Sequence, residues 1–132
     1  MKKEEYIRMN REWLAAKAQE TGVKPLDKGI YYKVLTSGNT SAPQPNRNSV
    51  VTVHYTGKLI NGKRFDSSLG GPAPAMRLRE LIQGWQIALQ QMHVGDKWEL
   101  YLPAEMGYGK QSIPGIPGGS TLIFQVELKG IA

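Results

Sequence analysis

The chain contains no cysteine and only two histidines, His54 and His93, among its 132 residues. The absence of cysteine excludes both a disulfide framework and a thiolate nucleophile, and it limits a zinc site to His and carboxylate ligands. The two histidines lie far apart in sequence, and neither has another His or a Cys nearby at metal-site spacing. We therefore predict neither a metal site nor any other cofactor.

Other common catalytic motifs are missing as well. The glycines of residues 70–71 and 115–119 lack the spacing of a Walker or dinucleotide-binding loop, and there is no Gly-x-Ser-x-Gly elbow. His54 falls on the polar face of a predicted strand and His93 lies at a predicted helix end, so a nucleophile and base pair has no good candidate.

Long apolar runs are also absent. The amino terminus begins Met-Lys-Lys-Glu-Glu, and residues 1–22 contain no apolar stretch of the length found in a secretory signal. No other segment approaches the length of a membrane span. We expect a cytoplasmic chain without a membrane span, with a periplasmic or secretory location as the alternative if a leader has been removed.

Basic residues outnumber acidic ones and give a formal net charge of +6, but they form no long run. Lys and Arg are scattered from Lys2 to Lys129 and are interleaved with Asp and Glu. This pattern favours a solvated, mildly basic surface over a nucleic-acid-binding face. No nucleic-acid partner is expected.

An amphipathic helix is predicted at the amino terminus, where residues 4–20 are strong helix formers. Apolar side chains recur there at the spacing of one helical face, namely Tyr6, Met9, Trp13 and Ala16. Gly22 and Pro25 then favour a helix end. We assign residues 1–22 to a helical extension and residues 23–132 to the main domain. The helix either docks on its own domain in a monomer or pairs with another subunit in a weak dimer.

Alternation of apolar and polar residues predicts several strands with one buried face each. The pattern runs from Val51 to Leu59. Asn61-Gly62 favours a tight hairpin turn, so Lys63 to Asp66 should return antiparallel and bring Phe65 beside Tyr55. Further strands are predicted at residues 29–35, 97–102 and 122–128.

One short helix is predicted between these strands, from Glu80 to Met92, because Leu81, Trp85 and Leu89 recur at helical spacing. The 15 Gly and 8 Pro favour a single turn-rich domain, and strands and helices do not alternate as a parallel sheet requires. The predicted fold class is α+β, an antiparallel sheet curved around one short helix and preceded by the amino-terminal helix.

Aromatic residues accompanied by few charges remain as the candidate site. If they converge on the concave side of the sheet, they form a dry pocket with phenolic hydroxyls and the Asp66 carboxylate near its rim. The aromatic residues are Tyr55, Phe65, Trp85, Tyr108 and Phe124. From composition alone, a well-packed aromatic core is an equally good interpretation.

The local sequences around these aromatics resemble the signature of the FKBP-type prolyl isomerases. The first matching segments are Val-His-Tyr-Thr-Gly at residues 53–57 and Gly-Lys-Arg-Phe-Asp-Ser-Ser at residues 62–68. Leu-Ile-Gln-Gly-Trp follows at residues 81–85, and Met-Gly-Tyr-Gly follows at residues 106–109. Residues 91–95, 113–117 and 120–128 also match, and the motifs occur in the family's order across residues 29–128.

The resemblance implies a half-barrel of antiparallel strands around a short helix, and a peptidyl-prolyl cis/trans isomerase that acts through the aromatic pocket. It implies roles in orienting the substrate for Tyr55, Asp66, Ile82 and Tyr108. It implies a proline-binding surface formed by Phe65, Leu81, Trp85, Ile113, Ile116 and Phe124. Asp66 would either face the carbonyl carbon of the substrate or orient Tyr55 through a hydrogen bond. The amino-terminal helix and the Gly-Ile-Tyr-Tyr-Lys-Val-Leu segment at residues 29–35 resemble Mip-like members of the family.

The sequence departs from the family pattern at three positions. Residues 72–76, Pro-Ala-Pro-Ala-Met, replace an aromatic residue that often precedes the helix. Met106 stands before Gly107 where the family has an aromatic residue, and Ile113 stands where some members have histidine. These changes predict a shallower pocket wall.

Proline-containing polypeptide clients are the expected partners, and macrolides such as rapamycin are the expected inhibitors. Two other functions would use the same features. A binding module would hold a partner's proline in the pocket without turnover. A holdase or assembly chaperone would use the amino-terminal helix to join subunits and gather unfolded chains.

Overall fold

A computed structural model describes residues 1–132. It contains two α-helices, α1 (Lys3–Lys17) and α2 (Gln83–Leu89), and one antiparallel sheet of seven strands. The strands are β1 (Val23–Pro25), β2 (Tyr31–Thr36), β3 (Val50–Lys58), β4 (Arg64–Ser67), β5 (Ala75–Arg77), β6 (Lys97–Leu102) and β7 (Leu122–Ile131). Neither helix has the length and apolar character that a bilayer-spanning helix needs. The predicted α+β class with an amino-terminal helix is confirmed.

The sheet has the strand order β1-β2-β6-β7-β3-β4, and the short strand β5 pairs with the beginning of β3. The two long strands β3 and β7 pair over most of their length, from Val51 opposite Ile131 to Lys58 opposite Ile123. Register shifts interrupt the β3–β7 and β3–β4 pairs. Such bulges bend strands and increase their twist, which lets the sheet curve toward α2.

The main core lies between the concave face of the sheet and α2. Alternate residues of β3, β6 and β7 point into it, and α2 contributes Trp85, Ala88 and Leu89. The buried strand residues are Val51, Val53, Trp98, Leu100, Leu102, Leu122, Phe124, Val126 and Leu128. Each fully buried aliphatic side chain of this kind contributes roughly 1.5–3 kcal/mol of hydrophobic free energy. The two-residue alternation in the sequence therefore identifies the core face correctly.

The central helix is shorter than the predicted range of residues 80–92. Leu78 to Glu80 form a 3₁₀ turn, and Leu81 and Ile82 are extended, so α2 begins only at Gln83. After Leu89 the chain tightens, because the amides of Gln91 and Met92 donate to carbonyls three residues earlier rather than four. The result is a two-residue entry, Leu81 and Ile82, that precedes the first turn of α2, which carries Trp85.

The amino-terminal helix docks on the convex face of the sheet. Leu14 of α1 forms a small cluster with Tyr101 of β6 and Ile123 of β7, and the Trp13 ring lies 6.1 Å from that of Tyr101. The predicted apolar stripe is only partly right. Tyr6 and Trp13 are half-buried, but Met9 is 42% exposed and Ala16 is also exposed. The buried helical positions are instead Leu14 and the polar residue Asn10.

Two three-residue strands, β1 and β5, were not predicted. They are too short for an alternating pattern to be recognised, and each is fixed by its partner strand. β5 pairs Met76 with Val51 of β3, so part of the unusual Pro-Ala-Pro-Ala-Met segment is a sheet edge rather than a loop.

Candidate active site

A cavity of about 330 Å³ opens where the concave face of the sheet meets the entry to α2. Eight of its ten lining residues are apolar or aromatic. The lining consists of Tyr55, Phe65, Asp66, Met76, Glu80, Leu81, Ile82, Trp85, Tyr108 and Phe124. A largely apolar cavity with a few polar groups at its edge is the usual form of a small-ligand or peptide-side-chain site.

Trp85 is buried at the base of this cavity, with 4% of its surface exposed. Its ring stands nearly perpendicular to that of Tyr55, with centroids 5.0 Å apart, and to that of Phe124, with centroids 5.2 Å apart. Phe65 completes the set, because its ring meets Phe124 edge to face at 5.5 Å. Edge-to-face pairs are favourable beyond their buried area and fix ring orientation. The aromatic surface therefore has one defined shape.

Two glycines allow the aromatic rings to come this close. A Cβ atom on Gly57 would lie 2.7 Å from ring atoms of both Phe65 and Phe124. A Cβ atom on Gly84 would lie 2.6 Å from the side chain of Leu102. Gly57 thus makes room for the pocket wall, and Gly84 lets α2 approach the sheet so that Trp85 forms the base.

The polar edge of the cavity is organised around Asp66. The Tyr55 hydroxyl donates to Oδ2 of Asp66 at 3.0 Å, and the Ser67 amide donates to Oδ1 at 2.8 Å. Behind this pair, the Tyr55 amide donates to the Ser68 hydroxyl oxygen at 2.8 Å, and the Ser68 amide donates to the Tyr55 carbonyl at 2.9 Å. These bonds hold the β3 and β4 ends of the pocket in register.

Both tyrosines of the cavity are held in the neutral form. Burial raises the pKa of Tyr55 to about 12, and the hydrogen bond to Asp66 and the charge of that carboxylate act in the same direction. The pKa of Tyr108 is also raised, first by burial and then by the charge of Asp66. Since a tyrosine normally ionises near pH ~10, both hydroxyls remain hydrogen-bond donors in neutral solution.

Two donors on residues of the cavity lining, the Ile82 amide and the Tyr108 hydroxyl, have no hydrogen-bond partner inside the protein. Ile82 directly precedes α2 in an extended conformation, and its amide donates to no backbone carbonyl. Tyr108 follows the 3₁₀ turn Ala104–Met106, is 38% exposed, and has no hydrogen bond holding its hydroxyl. The indole nitrogen of Trp85 is a third unpartnered donor, but it is fully buried. Ile82 and Tyr108 are therefore the donors that can meet a bound carbonyl.

A sequence model of FKBP-type peptidyl-prolyl cis-trans isomerases matches residues 42–129 of this chain. The chain belongs to this family. The match includes every residue of the cavity lining, from Tyr55 to Phe124.

Individual relatives agree with the family assignment. The peptidyl-prolyl cis-trans isomerase Mip of Coxiella burnetii is 45% identical over 121 residues, which are 90% of this chain and 52% of the relative. The outer membrane protein MIP of Legionella longbeachae is 38% identical over 118 residues, which are 88% of this chain and 50% of the relative. This FKBP-type chain thus spans about half the length of these relatives, and it lies in the Mip-like branch that the sequence motifs indicated.

A solved structure has the same architecture. The crystal structure of a peptidyl-prolyl cis-trans isomerase from Pseudomonas syringae superposes with a TM-score of 0.92 at 34% sequence identity. The superposition covers 100% of this chain and 97% of that chain, so the similarity includes α1 as well as the half-barrel.

The structure brings most of the proposed site residues of this FKBP-type chain together, but not all. Ile113 and Ile116 lie outside the cavity lining. They bond to each other through two backbone hydrogen bonds of 3.0 and 2.9 Å, and Ile116 is buried in the main core. Their turn lies close to the site at Gly115, where a Cβ atom would lie 3.8 Å from Cβ of Phe65, and Ile113 packs against the core cluster that contains Trp85 and Phe124.

Two lining residues, Met76 and Glu80, were not predicted. Met76 lies on β5, within the segment that was expected to leave a shallower wall, and its flexible thioether occupies that wall. Glu80 ends the 3₁₀ turn before α2, whereas the sequence pattern treated it as the first residue of a longer helix. The carboxylates of Asp66 and Glu80 are the only charged groups of the lining.

Proposed function

We propose that this chain accelerates rotation about the Xaa-Pro peptide bonds of polypeptide clients during protein folding. The observation that carries the proposal is the aromatic cavity with Trp85 at its base and two unpartnered donors, the Ile82 amide and the Tyr108 hydroxyl, at its edge. Membership of the isomerase family supports the same conclusion.

The chemistry required of such a site involves no bond cleavage. Rotation about a peptide bond has a barrier of about 18–20 kcal/mol because amide resonance must be lost, whereas the cis and trans forms at proline differ by only about 0.5–1 kcal/mol. The twisted amide has less charge separation than the planar one. A cavity that excludes water therefore favours the twisted state relative to the solvated planar state.

The residues of the cavity divide into two groups in this mechanism. Trp85, Phe65 and Phe124 form the rigid aromatic surface that holds the proline ring. The Ile82 amide and the Tyr108 hydroxyl donate to carbonyls of the client, which fixes one side of the bond while the other side rotates. Since Oδ2 of Asp66 already accepts from Tyr55, we assign Asp66 to orienting that tyrosine rather than to contacting the client.

The test is an isomerisation assay on a short Xaa-Pro peptide, together with refolding of a protein whose slow step is proline isomerisation. We expect acceleration in both assays, and Tyr108→Phe should reduce kcat/KM by about 10-fold because it removes one orienting hydrogen bond. Tyr31→Phe on β2, outside the cavity, is the matched control and should retain full activity. Absence of acceleration at micromolar protein would overturn the proposal and leave a proline-binding module or a holdase.

Macrolides such as rapamycin are proposed as ligands of the same cavity. Its volume of about 330 Å³ and its aromatic lining suit the apolar ring of such a ligand. In a chain that carries Trp13→Phe and Trp98→Phe, titration with rapamycin should inhibit the peptide assay and quench the fluorescence of Trp85. Inhibition without any change of Trp85 emission would contradict binding at this cavity.

An envelope location is proposed in place of the cytoplasmic one. The support is the Mip-like branch, in which the Legionella longbeachae relative carries the name outer membrane protein. Fractionation of cells that express the natural gene, followed by detection of the protein in each compartment, tests this. Recovery in the cytoplasm alone would overturn it.

A further inference from the structure

The amino-terminal helix contacts the segment that carries Tyr108. Residues 107–121, here called the site loop, run from the end of the 3₁₀ turn Ala104–Met106 to the start of β7. Tyr108 lies near the beginning of this loop, and Ser120 and Thr121 lie at its end. The side-chain hydrogen bonds between α1 and the main domain are made with Ser120 and Thr121.

Asn10 is the centre of this contact. Its side chain is completely buried, and Thr121 is 2% exposed. The Thr121 amide donates to Oδ1 of Asn10 at 2.8 Å, and the Thr121 hydroxyl donates to the Asn10 carbonyl at 3.2 Å. Nδ2 of Asn10 donates to the Tyr6 carbonyl at 2.8 Å. The side-chain amino group of Asn10 is thus hydrogen-bonded within α1, and its side-chain oxygen is hydrogen-bonded to the site loop.

A buried asparagine is an unusual choice for simple attachment of a helix. Burying an amide is unfavourable unless its groups are hydrogen-bonded, whereas an apolar residue such as Leu14 would attach the helix without that requirement. What directional hydrogen bonds add is a fixed register between the two partners. Asn10 therefore sets where Thr121 lies along α1, rather than only whether α1 is docked.

Neighbouring contacts fix the same end of the loop. The Tyr6 hydroxyl and the Ser120 hydroxyl are 2.7 Å apart, and Ser120 donates to the Pro117 carbonyl at 2.6 Å. Gly119 has a φ angle of +85°, and a Cβ atom there would overlap the Ile7 side chain. Close approach of α1 thus depends on a glycine in the loop.

One backbone hydrogen bond links the end of the loop that contacts α1 to the neighbourhood of Tyr108. The Gly119 amide donates to the Gly109 carbonyl at 2.8 Å, which joins the residue that touches α1 to the residue after Tyr108. On the other side of Tyr108, Arg11 of α1 forms an ion pair with Glu105 at 3.6 Å. Both partners of that ion pair are exposed, so it contributes little compared with the buried bonds of Asn10.

We propose that α1 is a positioning element of the site and that Asn10 acts as a positioning residue, holding the site loop so that the Tyr108 hydroxyl stays at the cavity. The effect on turnover rests on the proposed isomerase function. The effect on the loop does not, because the contacts exist in the protein without any client. Asn10 touches no client and acts only through the loop.

The first experiment measures amide hydrogen exchange in the ligand-free, full-length protein. Asn10→Ala should accelerate exchange of residues 108–120 by about 10-fold, the factor expected when one or two hydrogen bonds that hold a local segment are lost. Exchange in β3 and β7 should be unchanged. Met9→Ala is the matched control, because Met9 is the neighbouring residue on α1 and is 42% exposed. Unchanged exchange in the loop would overturn the proposal.

The second experiment is a double-mutant cycle on the peptide assay at a temperature where all variants are folded. Asn10→Ala should lower kcat by about 10-fold with KM unchanged. This loss is smaller than the roughly 100-fold loss of rate that a 1 Å misplacement of a catalytic group can cause. In a Tyr108→Phe background the same change should have almost no further effect, because coupled residues are non-additive. Additive losses would show that Asn10 stabilises the fold without positioning Tyr108, which would overturn the proposal.

A milder variant covers the case in which Asn10→Ala does not fold. Tyr6→Phe removes only the oxygen that contacts Ser120, and it should change exchange and kcat in the same direction by a smaller factor. If the wild-type chain shows no isomerase activity, the proposed function fails while the exchange experiment still decides the role of α1. If activity is present and loop exchange does not respond to either variant, the role of α1 fails alone.

Discussion

The hydroxyl of Tyr55 donates to Oδ2 of Asp66 at 3.0 Å across the β3–β4 hairpin. This bond joins a strand residue of the aromatic wall to the only carboxylate on β4 that lines the cavity. Burial is the main cause of the raised pKa of Tyr55, and the hydrogen bond to Asp66 and the charge of that carboxylate add to it. The raised pKa of Tyr55 makes the free energy of unfolding depend on pH in alkaline solution.

Tyr55 should make the free energy of unfolding fall as the pH rises between about 10 and 12. In this window the unfolded chain has lost the tyrosine proton, since a free tyrosine ionises near pH ~10, whereas the native chain keeps it up to about 12. The native state then binds more protons, so rising pH favours unfolding. The stabilisation is fully present below pH ~10. Urea unfolding of the wild type and of Tyr55→Phe should show a difference that is constant below this window and shrinks within it.

The Tyr55→Phe comparison is needed because Tyr101 and Tyr108 also have raised pKa values. The contribution of Tyr101 is present in both proteins and cancels in the difference, whereas the charge of an ionised Tyr108 is itself one cause that raises the pKa of Tyr55 and so belongs to the measured effect. A difference that stays constant through the whole window would contradict the raised pKa of Tyr55.

Gly57→Ala should damage both stability and turnover. The new methyl group would lie 2.7 Å from ring atoms of Phe65 and Phe124, so both rings must move. Overpacking of this kind costs typically about 1–3 kcal/mol. Chemical denaturation should detect the loss, and kcat/KM for an Xaa-Pro peptide should fall. Gly130→Ala on β7, where nothing lies within 4 Å of the new atom, is the control and should be close to neutral.

Glu80→Gln should change which residue is accepted next to proline. Asp66 and Glu80 are the two carboxylates of the cavity lining on a chain whose net charge is +6. Glu80 also forms an ion pair with Arg77 at 3.7 Å, but both side chains are exposed, so solvent weakens that pairing. Removing one carboxylate weakens the repulsion of an acidic client residue, so the ratio of kcat/KM for Glu-Pro over Lys-Pro peptides should rise. We expect a few-fold effect at low salt that decreases at about 0.15 M, where the Debye length is about 8 Å. Glu12→Gln on the exposed face of α1 should leave the ratio unchanged.

Asp96→Ala should destabilise the fold without altering the cavity. The buried carboxylate accepts from the Gly38 amide at 2.6 Å and from the His93 amide at 2.9 Å, so it holds a loop against the turn after α2. Leaving buried donors without partners costs about 1–3 kcal/mol. Thermal or urea unfolding should show this loss, whereas Asp27→Ala, at an exposed position, should have little effect. A full loss of activity in folded Asp96→Ala protein would contradict the expectation that the contacts of Asp96 with Gly38 and His93 are independent of the site.

The site residues whose positions could be predicted are those that lie on regular strands and helices. Strand alternation and the Asn61-Gly62 hairpin put Phe65 and Asp66 beside Tyr55, and helical spacing put Trp85 over the sheet. These positions follow from periods of two and 3.6 residues, which are properties of the sequence alone. The family motifs then distinguished a pocket from a packed aromatic core.

The remaining parts depend on contacts that no local pattern records. Met76 reaches the cavity only because β5 pairs with the start of β3, and a three-residue strand has no recognisable period. Ile113 lies in a family motif, but its turn closes on itself through backbone hydrogen bonds to Ile116, and Ile113 is not among the residues that line the cavity. Asn10 was missed because a polar residue interrupts an apolar stripe, although it is the most buried position of α1.

The positions of the three tryptophans allow the intrinsic fluorescence of the protein to report on the cavity. Trp13 lies against Tyr101 on the convex face, and Trp98 stacks on Tyr32 at 4.2 Å, so neither ring lines the cavity. Trp85 alone forms part of the cavity, and its buried indole N–H has no acceptor. In a chain with Phe at positions 13 and 98, the emission spectrum would come from the base of the pocket alone. The arrival of a proline ring there could then be followed in real time without any attached dye.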